Sequence, residues 1–298
     1  MNRISFSGHE SFVCKQFWLK KGVDFVTGKN NSFTNDQAVV TLGVGKNMVR
    51  AIRFWLRAFG VTLEDDSITE VGQYLFGDGG QDPYLESIGS IWLLHYHLVK
   101  TGRATIYDIV FNKFRRIRPE FRFDQLQKHI QRYFAEAGSS AYNENTVKRD
   151  IRVFLNNYLP PSFSKRSEIE DSFSGLLYEL RLLKEIKKKD FSRQEEVTYF
   201  SVEADYRDNL PWQIVLYSIL ENKEYGTSIT FHDLYTSKNS PGCIFALSQE
   251  GLYQKIQEIC DHCSDCSYSE TAGNRVLQIA KTLKQSSSPT NILDEYYS

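Results

Sequence analysis

Residues 34–60, TNDQAVVTLGVGKNMVRAIRFWLRAFG, constrain the fold more than any other stretch, because they read as two helices joined by a tight turn through Gly43, Val44 and Gly45. In the second helix Met48, Ile52, Trp55 and Phe59 recur with a 3.6-residue period, and Val49 and Leu56 widen the stripe into a core-facing surface. Lys46, Arg50, Arg53 and Arg57 repeat that spacing two residues out of phase, roughly 160 to 200° away around the helix, with Asn47 beside them. One face is therefore apolar and the other cationic. A helix-turn-helix needs that arrangement to lay a recognition helix in a major groove, although an ordinary core helix with a solvated basic face has the same pattern.

Residues 61–76 add a short β-prone run, a polar turn and a helix capped by Thr69 and ending near Gly77, an order that suits a winged helix. The tip of that wing is Glu64, Asp65 and Asp66. Three carboxylates repel phosphate, so this wing is not expected to lie on DNA.

Gly77 to Pro83 is the clearest linker, and it sets off a second helical block that runs to Pro160 and Pro161. Its first helix, 84–100, carries His95 and His97 about 200° apart, too far round to share one ion, so both are assigned to the core. A basic patch follows, with Lys113, Arg115, Arg116, Arg118, Arg122, Lys128 and Arg132 interleaved among phenylalanines, a mixture that suits phosphate contact and base stacking as well as core packing. Residues 139–158 then repeat the first motif. Asn145 is the expected N-cap, Val147, Ile151, Phe154, Leu155 and Tyr158 form the apolar stripe, and Lys148, Arg149 and Arg152 face outward.

The third block is expected to open with a helix through Leu176, Leu177, Leu180 and Leu183 that ends at Lys187, Lys188 and Lys189. A strand at 196–202, a helix opened by Pro211 and Trp212, a short strand at 228–230, a helix from Ser248 and a strand at 275–279 complete another winged-helix order. The helix in the reading position is not basic, so the block is assigned to packing or partner binding. The fold expected is mainly α with short β wings, an α+β chain of tandem winged-helix or helix-turn-helix-like modules at 1–82, 83–161 and 162–298.

Net charge is −1, so no global field attracts nucleic acid and binding must come from local patches. No apolar run is long enough to cross a bilayer and MNRISFSGHE lacks the apolar centre of a signal peptide, which together point to a cytoplasmic chain with reduced cysteines and no membrane partner. Cys260, Cys263 and Cys266 form C-x₂-C-x₂-C around His262, but a fourth ligand is missing and no metal is assigned to them. Walker, dinucleotide-binding and nucleophile-elbow patterns are absent.

FSGHESF at 6–12 sets an imidazole, His9, beside a carboxylate, Glu10. The pair could serve as acid and base or bind a metal, while the structural alternative, favoured by spacing, is a helix entry with Ser11 as N-cap. This heptapeptide, LGVGKNMVRAIRFW at 42–55, NSPG at 239–242 and YSETAG at 268–273 together resemble a bacterial domain family of formerly unknown function associated with DNA phosphorothioation genes. The resemblance spans nearly the whole chain. It implies a DNA-binding component of an antiphage modification system, which nicks one strand of duplex DNA with Mg²⁺ or Mn²⁺ alongside a cysteine desulfurase, an ATPase and a sulfur-transfer enzyme. If the protein nicks, His9 and Glu10 are the expected catalytic pair, since a hydrolytic group must sit rigidly next to the helix that holds the duplex. Lys46, Asn47, Arg50, Arg53, Arg57, Arg115, Arg116, Lys148, Arg149 and Arg152 are the expected DNA contacts. The alternative is a non-catalytic DNA-reading adaptor or transcription regulator.

Overall fold

A computed structural model describes residues 4–29, 31–160, 175–190, 195–285 and 288–298. The chain divides into two compact units, one formed by Met1–Glu86 with His97–Glu203 and the other by Ser87–Tyr96 with Ala204–Ser298. Both are α+β, each with a three-stranded antiparallel sheet. No helix of the described residues is long and apolar enough to cross a membrane.

The first unit begins with α1 (Trp18–Thr27), α2 (Gln37–Leu42) and α3 (Lys46–Ala58). α2 stops at Gly43, whose φ of 61° gives its backbone N–H access to the carbonyls of Val39 and Val40, and extended Gly45 starts α3. The stripe expected on α3 is the buried one: Val49, Ile52, Trp55, Leu56 and Phe59 are enclosed, while Met48 is half-buried. A minimal hairpin closed by a bridge between Thr62 and Ile68 leads to α4 (Glu70–Phe76), and Thr69 caps it by accepting from the Gly72 N–H at 3.0 Å.

After α5 (Ile88–Thr101) the chain passes through α6 (Thr105–Ile109), a π turn at Val110–Phe114 and α7 (Arg115–Ile117). It continues into β1 (Glu120–Phe121), α8 (Phe123–Glu136), α9 (Glu144–Tyr158), β2 (Lys184–Asp190) and β3 (Glu195–Ser201), with sheet order β1-β3-β2. The second unit follows a similar order with one more short helix: α10 (Trp212–Glu221), β4 (Ser228–Thr230), α11 (Phe231–Thr236), α12 (Pro241–Ile244), α13 (Gln249–His262), β5 (Cys266–Thr271) and β6 (Asn274–Ile279), in sheet order β4-β6-β5. In both sheets the last strand lies between the other two. α9, β3, α10, β4, β6 and α13 with its Ser248 cap follow the sequence expectations.

Several expectations fail for identifiable reasons. The helix expected through Leu183 to Lys189 is a 3₁₀ turn at Tyr178–Leu180, a left-handed Arg181 with φ 50°, and then β2. Backbone pairing with β3 decides this, from Lys184 opposite Ser201 to Asp190 opposite Glu195, and the lysines along it reach Glu196 at 3.7 Å, Glu120 of β1 at 2.6 Å and Glu203 at 3.6 Å. Such distant partners leave no trace in local helical periodicity. α9 is capped by Asn143, which accepts from the Thr146 N–H at 2.9 Å, rather than by Asn145. α5 starts at Ile88 rather than Tyr84, after the chain has turned at Leu85 with φ 56°. Ser11 does not cap α1, because it sits at φ 73° in a loop and α1 begins only at Trp18. The boundary expected at 161–162 lies outside the described residues.

Candidate nucleic-acid interface

The opening heptapeptide is a strap between α3 and α9. Ser7, Glu10 and Ser11 all take left-handed conformations, with φ of 71°, 50° and 73°, which side chains adopt only when surrounding contacts enforce them. Those contacts are specific. Asp150 of α9, 3% exposed, accepts the Ser7 N–H on both oxygens at 3.0 and 3.1 Å and faces Nε2 of His9 at 3.2 Å. Nδ1 of His9 accepts the Ser11 N–H at 3.1 Å, so the ring proton belongs on Nε2, pointing at Asp150. The imidazole stacks on Trp55 with ring centres 5.9 Å apart and meets Phe54 edge-on at 5.7 Å. Trp55 in turn donates its indole N–H to the Phe12 carbonyl at 3.1 Å. A Cβ on Gly8 would lie 2.3 Å from the Phe54 ring, so only glycine permits this approach.

His9 is thus 3% exposed with both nitrogens engaged. It braces two helices and offers no lone pair to solvent, which argues against its expected role as a hydrolytic base. Glu10 does reach the surface, at 35% side-chain exposure, with one oxygen 3.6 Å from Arg50.

The basic stripe of α3 divides in two. Lys46 and Arg50, with side chains 69% and 58% exposed, have only long, open ion pairs to Asp36 at 3.5 Å and Glu10 at 3.6 Å, and Asn47 beside them is exposed. Arg53 and Arg57 are instead clamped by the acidic hairpin tip. Asp66, at φ 68°, receives Arg53 through Nε at 3.0 Å and Nη2 at 2.7 Å, and Arg57 through Nε at 3.1 Å and Nη2 at 2.8 Å. The tip that sequence reasoning turned away from phosphate therefore folds onto the arginines expected to bind it. A charge count along the chain cannot show this, since it depends on the left-handed Asp66.

α9 presents a second cationic face. Arg149 and Arg152 are exposed, Arg152 lies over the Phe123 ring at 5.9 Å, and Lys148 pairs with Glu144 one turn earlier at 2.5 Å. Arg115, expected among the DNA contacts, is 6% exposed because the π turn rotates it inward, whereas Arg116 stays at the surface. Sequence reasoning missed Asp150 altogether. A lone carboxylate on the buried face of a basic helix was the available signal.

Asp150 already receives two N–H groups, and among the described residues no three or more His, Cys, Asp or Glu side chains are grouped to hold a metal ion. In the cysteine cluster, burial first and neighbouring Cys263 second push the Cys266 thiol well above its ordinary value, and burial raises Cys260 too. Both favour the neutral thiol over the thiolate that ligates metal.

Fold and surface together define an α+β protein that braces two cationic helices against each other through a buried histidine and aspartate. The chain belongs to the family described as Protein of unknown function (DUF4007), whose model matches residues 6–297. It is similar to solved structures of SspB: magnesium ion-bound SspB, with a TM-score of 0.82, and SspB itself, with 0.81, each 26% identical and covering 99% of this chain and 88% of the other. No curated protein matches it.

Proposed function

We propose that this protein is the DNA-binding component of a bacterial DNA phosphorothioate modification system serving antiphage defence. It engages duplex DNA through the outer faces of α3 and α9. The observation that carries the reading is the strap at 6–12, which fixes two cationic helices in one rigid unit through His9, Asp150 and Trp55. Bracing of this kind suits helices that must keep register on a repeating phosphate backbone. Similarity to SspB along nearly the whole chain supports the same assignment.

In this reading both units contain winged helices, since each has a strand, then helices, then two strands with the last strand central, two helices (α8, α9) intervening in the first unit and three (α11, α12, α13) in the second. Lys46, Asn47, Arg50, Lys148, Arg149, Arg152 and Arg116 are the DNA contacts. A cysteine desulfurase, an ATPase and a sulfur-transfer enzyme are the partners, and the protein opens one strand so that sulfur can be installed. The competing reading, a non-catalytic DNA-reading adaptor, is favoured by the burial of His9 and by the lack of a three-ligand cluster among the described residues. Supercoiled plasmid incubated with the protein and Mg²⁺ or Mn²⁺ separates the two. Conversion to open circle supports nicking, supercoiled DNA that is bound but intact supports the adaptor, and absence of binding overturns both.

A further inference from the structure

Beside the clamped arginines of α3 lies a cavity of about 580 Å³, lined among others by Phe6, Arg57, Thr62, Leu63, Glu64 and Arg103. All of its lining residues belong to the first unit. Phe6 enters it from the start of the strap and Arg57 from the clamped end of the α3 stripe, but none of the residues assigned to duplex contact lines it.

Its chemistry is unusual in two respects. The Thr62 hydroxyl, on a residue 3% exposed, meets no hydrogen-bonding partner among the described residues, and neither does the buried Nε of Arg103. An unmet buried polar atom is unfavourable unless something supplies its partner. In addition, the Glu64 carboxylate bridges two guanidiniums, with Oε1 on Nη1 of Arg103 and Oε2 3.6 Å from Nη1 of Arg57. An anion is thus already accommodated at the mouth, on a side chain 69% exposed, and an ion pair so exposed is weak and readily exchanged. Phe6, Leu63 and Ile4 supply an apolar wall.

We infer that this cavity binds the phosphate-bearing part of a nucleotide, with the phosphate replacing the Glu64 carboxylate between Arg57 and Arg103, Thr62 donating its hydroxyl, and the nucleoside against Phe6 and Leu63. Guanidinium pairs match phosphate oxygens geometrically, and the volume falls within the range of small-molecule sites. The nucleotide could arrive free or as a residue unstacked from a strand. The inference does not depend on the duplex-reading proposal, because Lys46, Asn47, Arg50, Arg116, Lys148, Arg149 and Arg152 are not among the lining residues.

The test is calorimetric titration of the intact protein with thymidine 5′-monophosphate in one arm and a short oligothymidylate in the other. Arg103→Ala, Thr62→Val and Glu64→Gln serve as variants, and thermal unfolding confirms that each folds. Binding in either arm is expected to weaken at least tenfold in Arg103→Ala and several-fold in Thr62→Val, and to strengthen in Glu64→Gln. Binding of the mononucleotide identifies a free ligand, and binding of the oligonucleotide alone identifies a strand. Failure of both ligands to bind overturns the inference. Affinity unaffected by Arg103→Ala also does so, and if that variant does not fold, unchanged affinity in both Thr62→Val and Glu64→Gln is decisive instead.

Discussion

Asp66→Asn is the most informative single substitution in the hairpin. Asparagine tolerates the left-handed conformation of residue 66, φ 68°, so the turn survives and the charge alone is removed. Asp66 holds Arg53 and Arg57 at 2.7 to 3.1 Å, with side-chain exposures of 18%, 30% and 12%, so these contacts are only partly screened. Charge-assisted hydrogen bonds of this kind contribute about 1.5–3 kcal/mol, which corresponds to a fall of several degrees in Tm. The same change frees Arg53 on the cationic face of α3 and loosens Arg57, which still donates to the Glu64 carbonyl and lies 3.6 Å from the Glu64 carboxylate. Each phosphate contact steepens the plot of log K against log salt by about 0.9, which at 0.1 M salt corresponds to roughly eightfold in affinity per contact. Asp66→Asn should therefore lower Tm and yet bind duplex DNA up to roughly 60-fold more tightly, with a slope steeper by up to about two. Fluorescence anisotropy of a labelled duplex over a salt series, run beside thermal unfolding, measures both. A lower Tm with unchanged affinity and slope would show that Arg53 and Arg57 are a structural staple turned away from DNA.

Other expectations follow from the strap and the core. His9→Ala leaves the Asp150 carboxylate buried with only the Ser7 N–H and should destabilise by on the order of 3 kcal/mol in chemical denaturation, while Glu10→Gln, at the surface, should unfold like wild type. Gly8→Ala forces a methyl into the Phe54 ring and should lose about 1–3 kcal/mol; wild-type stability would mean that the strap packs loosely. Burial holds His97 neutral, with its pKa lowered to about 3. The unfolded chain, with an ordinary imidazole, takes up a proton below about pH 6.5 that the native state refuses, so stability is complete above that pH and falls by up to about 1.4 kcal/mol per unit as pH drops towards 3. Urea midpoints measured from pH 7 to 4 should show this decline, and His97→Leu should flatten it.

Much of the fold was legible where the period of the pattern and the cap residues agreed. α3 shows this, with the Ile52, Trp55 and Phe59 stripe buried as its spacing requires and Gly43 ending the helix before it. α4 shows it too, between Thr69 and Gly77. What the sequence hid was decided by partners far along the chain. The leucine-to-lysine run at 176–189 has helical spacing, yet from Lys184 onward it pairs antiparallel with β3, with Lys184 opposite Ser201 and Lys189 opposite Glu196. The candidate site was half legible for the same reason: the exposure of Lys46, Arg50, Arg149 and Arg152 follows from helical phase, whereas the clamp on Arg53 and Arg57 and the burial of Arg115 depend on a left-handed turn and a π turn. His9 and Glu10 were singled out as a chemical pair, but 143 residues separate Ser7 from the Asp150 that claims the histidine.

The most direct test of the proposed DNA interface compares Lys46→Ala with Arg50→Ala, combined, against Arg149→Ala with Arg152→Ala, combined, in the same salt series. Each pair is exposed, so folding should be unaffected, and each should lower the slope of log K against log salt by about two. Wild-type affinity and slope in both double variants would contradict the assignment of DNA binding to α3 and α9.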